Sequence, residues 1–290
     1  RLPGRLLPPL SLTLRAYEPL PATVGTMRRS VDAFIESLEE RYRASGATPS
    51  MISQALPRIN VVPVALSDEV GTQVLGVPLH SAAESTAHNC SAQYDGFHGC
   101  DFVKVNIDML DEHFPVCRAE SCEGVRQLAT SREPPLLDLV KIHVQGHELR
   151  VLRGARASLA AGLVCVVLVK VCYREAFSVQ ADGAEALASE MRALLRNYTA
   201  VLVDTEGAAL KLDTSGRQLA QWLVNYTEHR VSGATPEAPA RIFNEVVAWH
   251  DGPLCRSSFA TASVRLLFGS GRAALQRLLD YPLGSDSGVG

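Results

Sequence analysis

The chain carries almost no excess charge of one sign. Lys and Arg number 28 against 31 Asp and Glu, a formal net charge of −3, so no global basic field draws it to nucleic acid or to an anionic membrane. The longest apolar run, Leu159 to Val169, is too short for a transmembrane helix, which needs about 20 residues. Cysteine is thin: seven in 290 residues with no CxxC pair, which excludes a disulfide-dense scaffold. Neither a G-x-S-x-G elbow nor a G-x-x-x-x-G-K-[ST] loop occurs, and with them go an α/β-hydrolase and a P-loop enzyme. What is present is a globular composition, 47% hydrophobic and 20% charged, unlike a disordered or collagen-like chain. The length suits one large α/β domain or two modest ones.

The first residue is Arg1, which suggests a numbering that begins inside a longer product. Arg1, Arg5, Leu6 and Leu7 have the flavour of a secretion-signal tail, but Pro8 and Pro9 interrupt any apolar helix there. Cys165 and Cys172 lie in the apolar stretch VCVVLVKVC and read as small core residues. Cys90, Cys100, Cys117 and Cys122 fall in a polar, Gly-containing region where one or two bridges could form in an oxidising compartment. Asn89, Asn197 and Asn225 head N-x-[ST] sequons, a second hint of a secretory route that chance also supplies.

Periodicity supplies the elements. Leu10 to Tyr17 alternates as a strand ending at Glu18-Pro19, and Ala22 to Ala44 repeats apolar residues at helical spacing. Ile59 to Leu66 (INVVPVAL) is continuous and β-branched, the pattern of a strand buried on both faces. Weaker strands are expected over Thr72–Val77 and Val103–Ile107, with a loop over Cys117–Pro135. Leu137 to Ile142 reads as a buried strand, Gly146 as a turn, and Glu148 to Ala160 as a helix closed by Gly162. Val164–Val171, Ala200–Asp204 and Val246–Trp249 follow as strands, Ala184–Leu195 as a helix, and Ala260–Leu279 as an interrupted helix. Strands separated by such crossovers predict an α/β fold with a doubly wound, mostly parallel sheet.

Ligands of such sheets bind beyond the carboxyl ends of the strands. The positions to watch are Glu18, Ser67 with Asp68, His143 to Glu148, and Tyr173 with Arg174. Glu18 has the chemistry to accept two hydrogen bonds from a ribose diol, and equally that of a solvated strand-end carboxylate. His143 and His147 are four apart, which invites a metal reading, but Gly146 at a strand-to-helix turn separates them and speaks against a shared helix face. No metal site is expected. His80, His88, His98 and His113 read as surface residues.

DLVKIHVQGHELRVLRGA resembles the signature of the FkbM-type methyltransferases, K-I-D-V-E-G-x-E followed by a V-L-x-G-A helix. AYEPLP is similar to that family's F-E-P-x-P, VVPVALSDEVGT to its V-x-A-L-S-D-x-x-G, and NIDMLDEHF to its T-L-D-x-L. The four segments keep order and spacing over about Leu12 to Leu202. The resemblance implies a class I methyltransferase (Rossmann-like) fold that uses S-adenosylmethionine to methylate a small hydroxylated acceptor. It places Glu18 on the cofactor's ribose and Leu66 with Ser67 beside the adenine. Lys141, Gly146 and Glu148 match the signature, while the family's aspartate is His143 here and its glutamate is Gln145.

Those departures remove two negative charges near the donor's sulfonium. His143 could act as a base, Gln145 could orient through its amide, and Glu148 completes the implied catalytic set; the other reading is a decayed site in which His143 is merely tolerated. A non-catalytic module that keeps the fold for binding or scaffolding is the alternative function. No D-x-G-x-x-x-G-like run precedes Leu12, so either the first strand lies upstream of Arg1 or the sheet is expected without it and binds the cofactor poorly. The organisation that follows is a remnant over 1–11, a methyltransferase-like domain over 12–212, an extension over 213–283 that completes or packs on it, and a disordered tail over 284–290.

Overall fold

A computed structural model describes residues 12–78, 100–114, 137–144, 147–170, 183–204, 209–211, 243–255 and 261. Expectations for residues 1–11, His80, His88, Asn89, Cys90, His98, Cys117, Cys122, Gln145, Gly146, Cys172, Tyr173, Arg174 and Asn225 fall outside these residues, as do the 117–135 loop, most of the 260–279 helix and the tail. Among the described residues no helix is long and apolar enough to cross a membrane.

The first strand, β1 (Thr13–Tyr17), leads through Pro19 into α1 (Pro21–Ala44). Pro21 suits the first helical position because its missing N–H would have no partner there, and Arg41 and Arg43 in the last turn complement the helix dipole. Only Val24 of α1 is buried, and Phe34 on its apolar stripe is half exposed. Thr48 caps α2 (Pro49–Ala55) by accepting the Met51 N–H. The chain then returns as β2 (Arg58–Val62), parallel to β1.

INVVPVAL is not one buried strand. Pro63 has no N–H to give a ladder, and a tight turn there, with the Val64 N–H on the Val62 carbonyl at 2.9 Å, splits the segment. β2 stays with β1 and is buried only at Val61, whereas β3 (Ala65–Leu66) joins another sheet. That sheet has the order β3-β5-β4, where β4 (Gly71–Pro78) runs antiparallel to β5 (Cys100–Asp108) and β3 runs parallel to it.

A short helix, α3 (Leu110–His113), follows β5. Next come β6 (Leu137–Ile142), α4 (Glu148–Gly154), α5 (Arg156–Ala160), β7 (Val164–Lys170), α6 (Gly183–Leu194), β8 (Tyr198–Asp204), β9 (Ala209–Lys211) and β10 (Phe243–His250). The helix expected over Glu148–Ala160 is bent at Ala155 into α4 and α5. Asp111 holds the second piece, accepting the Ala157 N–H at 2.8 Å, the Ser158 N–H at 2.9 Å and the Ser158 hydroxyl at 2.6 Å. These are the unpaired donors of a helix start, and a carboxylate satisfies them with favourable charge.

The largest sheet has the order β6-β7-β10-β8-β9. Here the expectation of a mostly parallel, doubly wound sheet is corrected to a mixed α/β arrangement of several sheets. Only β6 and β7 pair in parallel; β10 lies antiparallel between β7 and β8, and β9 is antiparallel to β8. β10 comes from beyond residue 212, yet it occupies the middle of the sheet. The β1-β2 pair is not hydrogen-bonded to it among the described residues.

One core joins these parts. Leu149, Val151, Leu152 and Leu159 pack with Val164, Val167, Val169, Met191, Leu195, Leu202 and Val246, all at most 2% exposed. Tyr198 is buried against them, and its hydroxyl donates to the Val164 carbonyl at 2.7 Å. Cys165 is a half-cystine rather than a core thiol: it is bonded to Cys255, 90 residues away, and both are fully buried.

Candidate functional site

Glu18, Ser67 and His143 each directly follow the carboxyl end of a strand, β1, β3 and β6. Tyr17, Leu66 and Val144, the immediate neighbours of Glu18, Ser67 and His143, all pack against the same hydrophobic core.

Glu18 continues the β1-β2 ladder, its N–H donating to the Val62 carbonyl at 3.1 Å. Its Oε1 accepts the Leu20 N–H at 2.9 Å, which fixes the carboxylate at the entrance to α1. Burial raises the Glu18 pKa, and the hydrogen bond from Leu20 opposes that shift. One backbone donor uses a small part of a carboxylate's capacity of about four acceptor sites. A half-buried, oriented carboxylate of this kind suits a pair of adjacent hydroxyls.

Ser67 is wholly buried. Its N–H donates to the Asp108 carbonyl at 2.8 Å, and its hydroxyl lies 3.1 Å from His147 Nε2 and 3.2 Å from Asp68 Oδ1. His147 is the N-cap residue of α4, so this contact ties the helix start to the end of β3. Glu148, the first residue of α4, is 2% exposed and stands where the helix dipole favours negative charge. The Asp68 carboxylate lies 3.5 Å from Arg153 and 3.6 Å from Arg150.

Arg153 in turn forms a two-pronged pair with Glu190 of α6, at 2.6 and 2.5 Å. That hydrogen-bonded fork raises the arginine pKa and lowers that of the glutamate. β3, α4 and α6 are thereby locked around the strand ends.

His143 follows Ile142, the last residue of β6, and is exposed. Partial desolvation holds its pKa below the ordinary imidazole value, reinforced by the ammonium groups of Lys170 and Lys141. At neutral pH its ring is therefore neutral, with a nitrogen lone pair able to accept a proton. His113 stacks edge-on against Tyr17 with centroids 5.1 Å apart, and its Nε2 is 3.0 Å from Asp108 Oδ2. It is not the plain surface residue expected. Among the described residues no group of three or more His, Cys, Asp or Glu side chains could hold a metal ion.

Gly154 explains why the segments are interlocked. A Cβ built there would fall 1.9 Å from the Ser67 carbonyl oxygen and 3.5 Å from the Met109 Cα. The V-L-x-G-A helix, the A-L-S-D segment and the start of α3 thus meet at one point that only glycine leaves open. Its matched motif segments are in physical contact. A sequence model described as "Methyltransferase FkbM domain" matches residues 17–202, more than half of the chain.

The chain belongs to the FkbM methyltransferase family. No curated protein and no solved structure matches it significantly. Within this FkbM domain, sequence reasoning singled out Glu18, Leu66, Ser67, His143 and Glu148 but missed the Ser67–His147 contact, the Asp68–Arg153–Glu190 network and the Asp108–His113–Tyr17 group. Only Gly154 carried a sequence signal for the interlock, as the glycine of V-L-x-G-A. Replacing it by alanine should destabilise the protein by roughly 1–3 kcal/mol through overpacking. Elsewhere in a helix the same change stabilises by about 1 kcal/mol. Urea unfolding of the two proteins reads the difference, and an unchanged or raised midpoint would show that the Ser67 backbone yields freely.

Proposed function

We propose that the protein is an S-adenosylmethionine-dependent O-methyltransferase acting on a small hydroxylated acceptor. The observation that carries this reading is the match of residues 17–202 to the FkbM methyltransferase domain, and Glu18, Ser67 and His143 each directly follow the end of a strand, β1, β3 and β6. The residues present fit the cofactor: an oriented, half-buried carboxylate suits a ribose diol, and an imidazole of lowered pKa adds no positive charge beside a sulfonium.

S-adenosylmethionine, when bound, supplies an electrophilic methyl group. Glu18 would accept the two ribose hydroxyls, and Leu66 would offer apolar surface to the adenine. Ser67 acts through its neighbours, since a buried hydroxyl engaged with His147 and Asp68 holds α4 in register with β3. Glu148 sits buried at the start of the same helix. Gln145 would orient the acceptor through its amide.

Methyl transfer needs the acceptor oxygen aligned with the methyl carbon and freed of its proton as the bond forms. In this account a ring nitrogen of His143 takes that proton, replacing the carboxylate that the family signature has at the same position. Incubation with donor labelled in its methyl group and a panel of polyols, sugars and hydroxy acids tests the proposal. Label should appear on a hydroxyl oxygen of at least one acceptor; retention of all label on the donor across the panel, by protein that binds the donor, would favour a binding module instead.

A further inference from the structure

We propose that Asn197 is a site of N-linked glycosylation, and that the chain acquires this glycan and its Cys165–Cys255 bond in an oxidising, glycan-transferring compartment. Two independent observations point there. Asn197-Tyr198-Thr199 is an N-x-T sequon whose asparagine stands exposed in the turn between α6 and β8. A fully buried disulfide meanwhile fastens β7 to the turn after β10, and such bonds persist in secretory compartments while the cytosol keeps thiols reduced.

The geometry also orders the events. Tyr198 is buried, Thr199 pairs with Trp249 across β8 and β10, and the Thr199 hydroxyl lies 3.4 Å from Asp251. A sequon so embedded cannot be threaded through a transferase after folding, so transfer falls on the emerging chain. Once the strand has formed, the glycan projects from the exposed turn and displaces nothing from the core.

In the transfer, the Asn197 side-chain nitrogen bonds to the anomeric carbon of a lipid-pyrophosphate-linked oligosaccharide. The anomeric carbon–oxygen bond to pyrophosphate breaks, the lipid pyrophosphate leaves and the amide loses one proton. In the oxidation, the Cys165 and Cys255 thiols lose two protons and two electrons to the disulfide of a thiol oxidoreductase, which emerges as a dithiol.

The test uses the protein expressed from its natural reading frame in cells that make N-glycans, alkylated before lysis. Peptide mapping after amidase release in heavy-oxygen water should convert Asn197 to isotopically marked aspartate and recover Cys165 linked to Cys255. Asn197→Gln and Thr199→Ala should each remove one glycan, whereas Thr199→Ser should keep it. The wild-type peptide map stands even where a variant fails to fold. An unmodified Asn197 overturns the proposal, including the case in which Asn89 or Asn225 carries a glycan, and so does recovery of Cys165 and Cys255 as alkylated thiols.

Discussion

His143→Gln should lower methyl transfer roughly 10²- to 10⁴-fold, the usual contribution of a positioned general base, while leaving the fold in place. The side chain is exposed at the end of β6, so its replacement opens no core cavity. The pH profile separates loss of a base from loss of shape. Desolvation and the nearby Lys170 and Lys141 lower the His143 pKa from 6.5, so the acidic limb of kcat/KM should fall below that value. Activity should hold as pH drops through 6.5 and fail only as the ring protonates. The variant should lose that limb as well as the rate.

Stability follows the same sign. The unfolded chain binds a proton at His143 more readily than the folded one, so this residue's contribution is complete above 6.5 and is lost as pH falls through the lower folded value. Turnover that rises in His143→Asp, with Gln145→Glu added, would instead identify the wild-type site as decayed. A wild-type acidic limb that persists in His143→Gln would assign the base elsewhere.

Opening the Cys165–Cys255 bond should cost about 4–5 kcal/mol of unfolding free energy, the chain-entropy value for a closed loop of this length. The two cysteines are 90 residues apart, and the loop between them contains α6, β8 and β10. Without the bond, the unfolded chain recovers that freedom, while the native sheet keeps its ladders from β7 through β10 to β8. Guanidinium unfolding of Cys165→Ala/Cys255→Ala against the oxidised wild type measures the loss. Equal midpoints and equal slopes would show that the cross-link adds nothing to the sheet.

The parts of the molecule that could be read beforehand are those whose physics is local. Thr13–Tyr17, the long helix over Pro21–Ala44, the β6-turn-α4 unit and the strand at Val164 each announce themselves through alternation, helical spacing or an unbroken β-branched run. Partner choice is not local. Nothing in Phe243–His250 says that β10 will insert antiparallel between β7 and β8, because that position is decided by the exposed edges it finds. Pro63 did carry a warning: a residue without an N–H inside INVVPVAL is a poor member of a central strand, and the chain changes sheets there.

The site divides in the same way. Glu18 and His143 were visible because each follows a readable strand. Ser67 was visible too, but its contact with His147, 80 positions away, was not. Arg153 and Glu190 lie on helix faces that would suit solvated charges equally well, and only tertiary packing turns them into a fork.

The most direct measurement is calorimetric titration of the folded protein with S-adenosylhomocysteine, repeated on Glu18→Gln. Saturable binding is predicted for the wild type, weakened roughly 10- to 100-fold in the variant, as loss of a charged hydrogen-bond acceptor implies. Because burial raises the Glu18 pKa, wild-type affinity should begin to fall on acidification above the ordinary glutamate range. Absence of binding to folded protein, or equal affinity for both, would contradict a donor site built on Glu18.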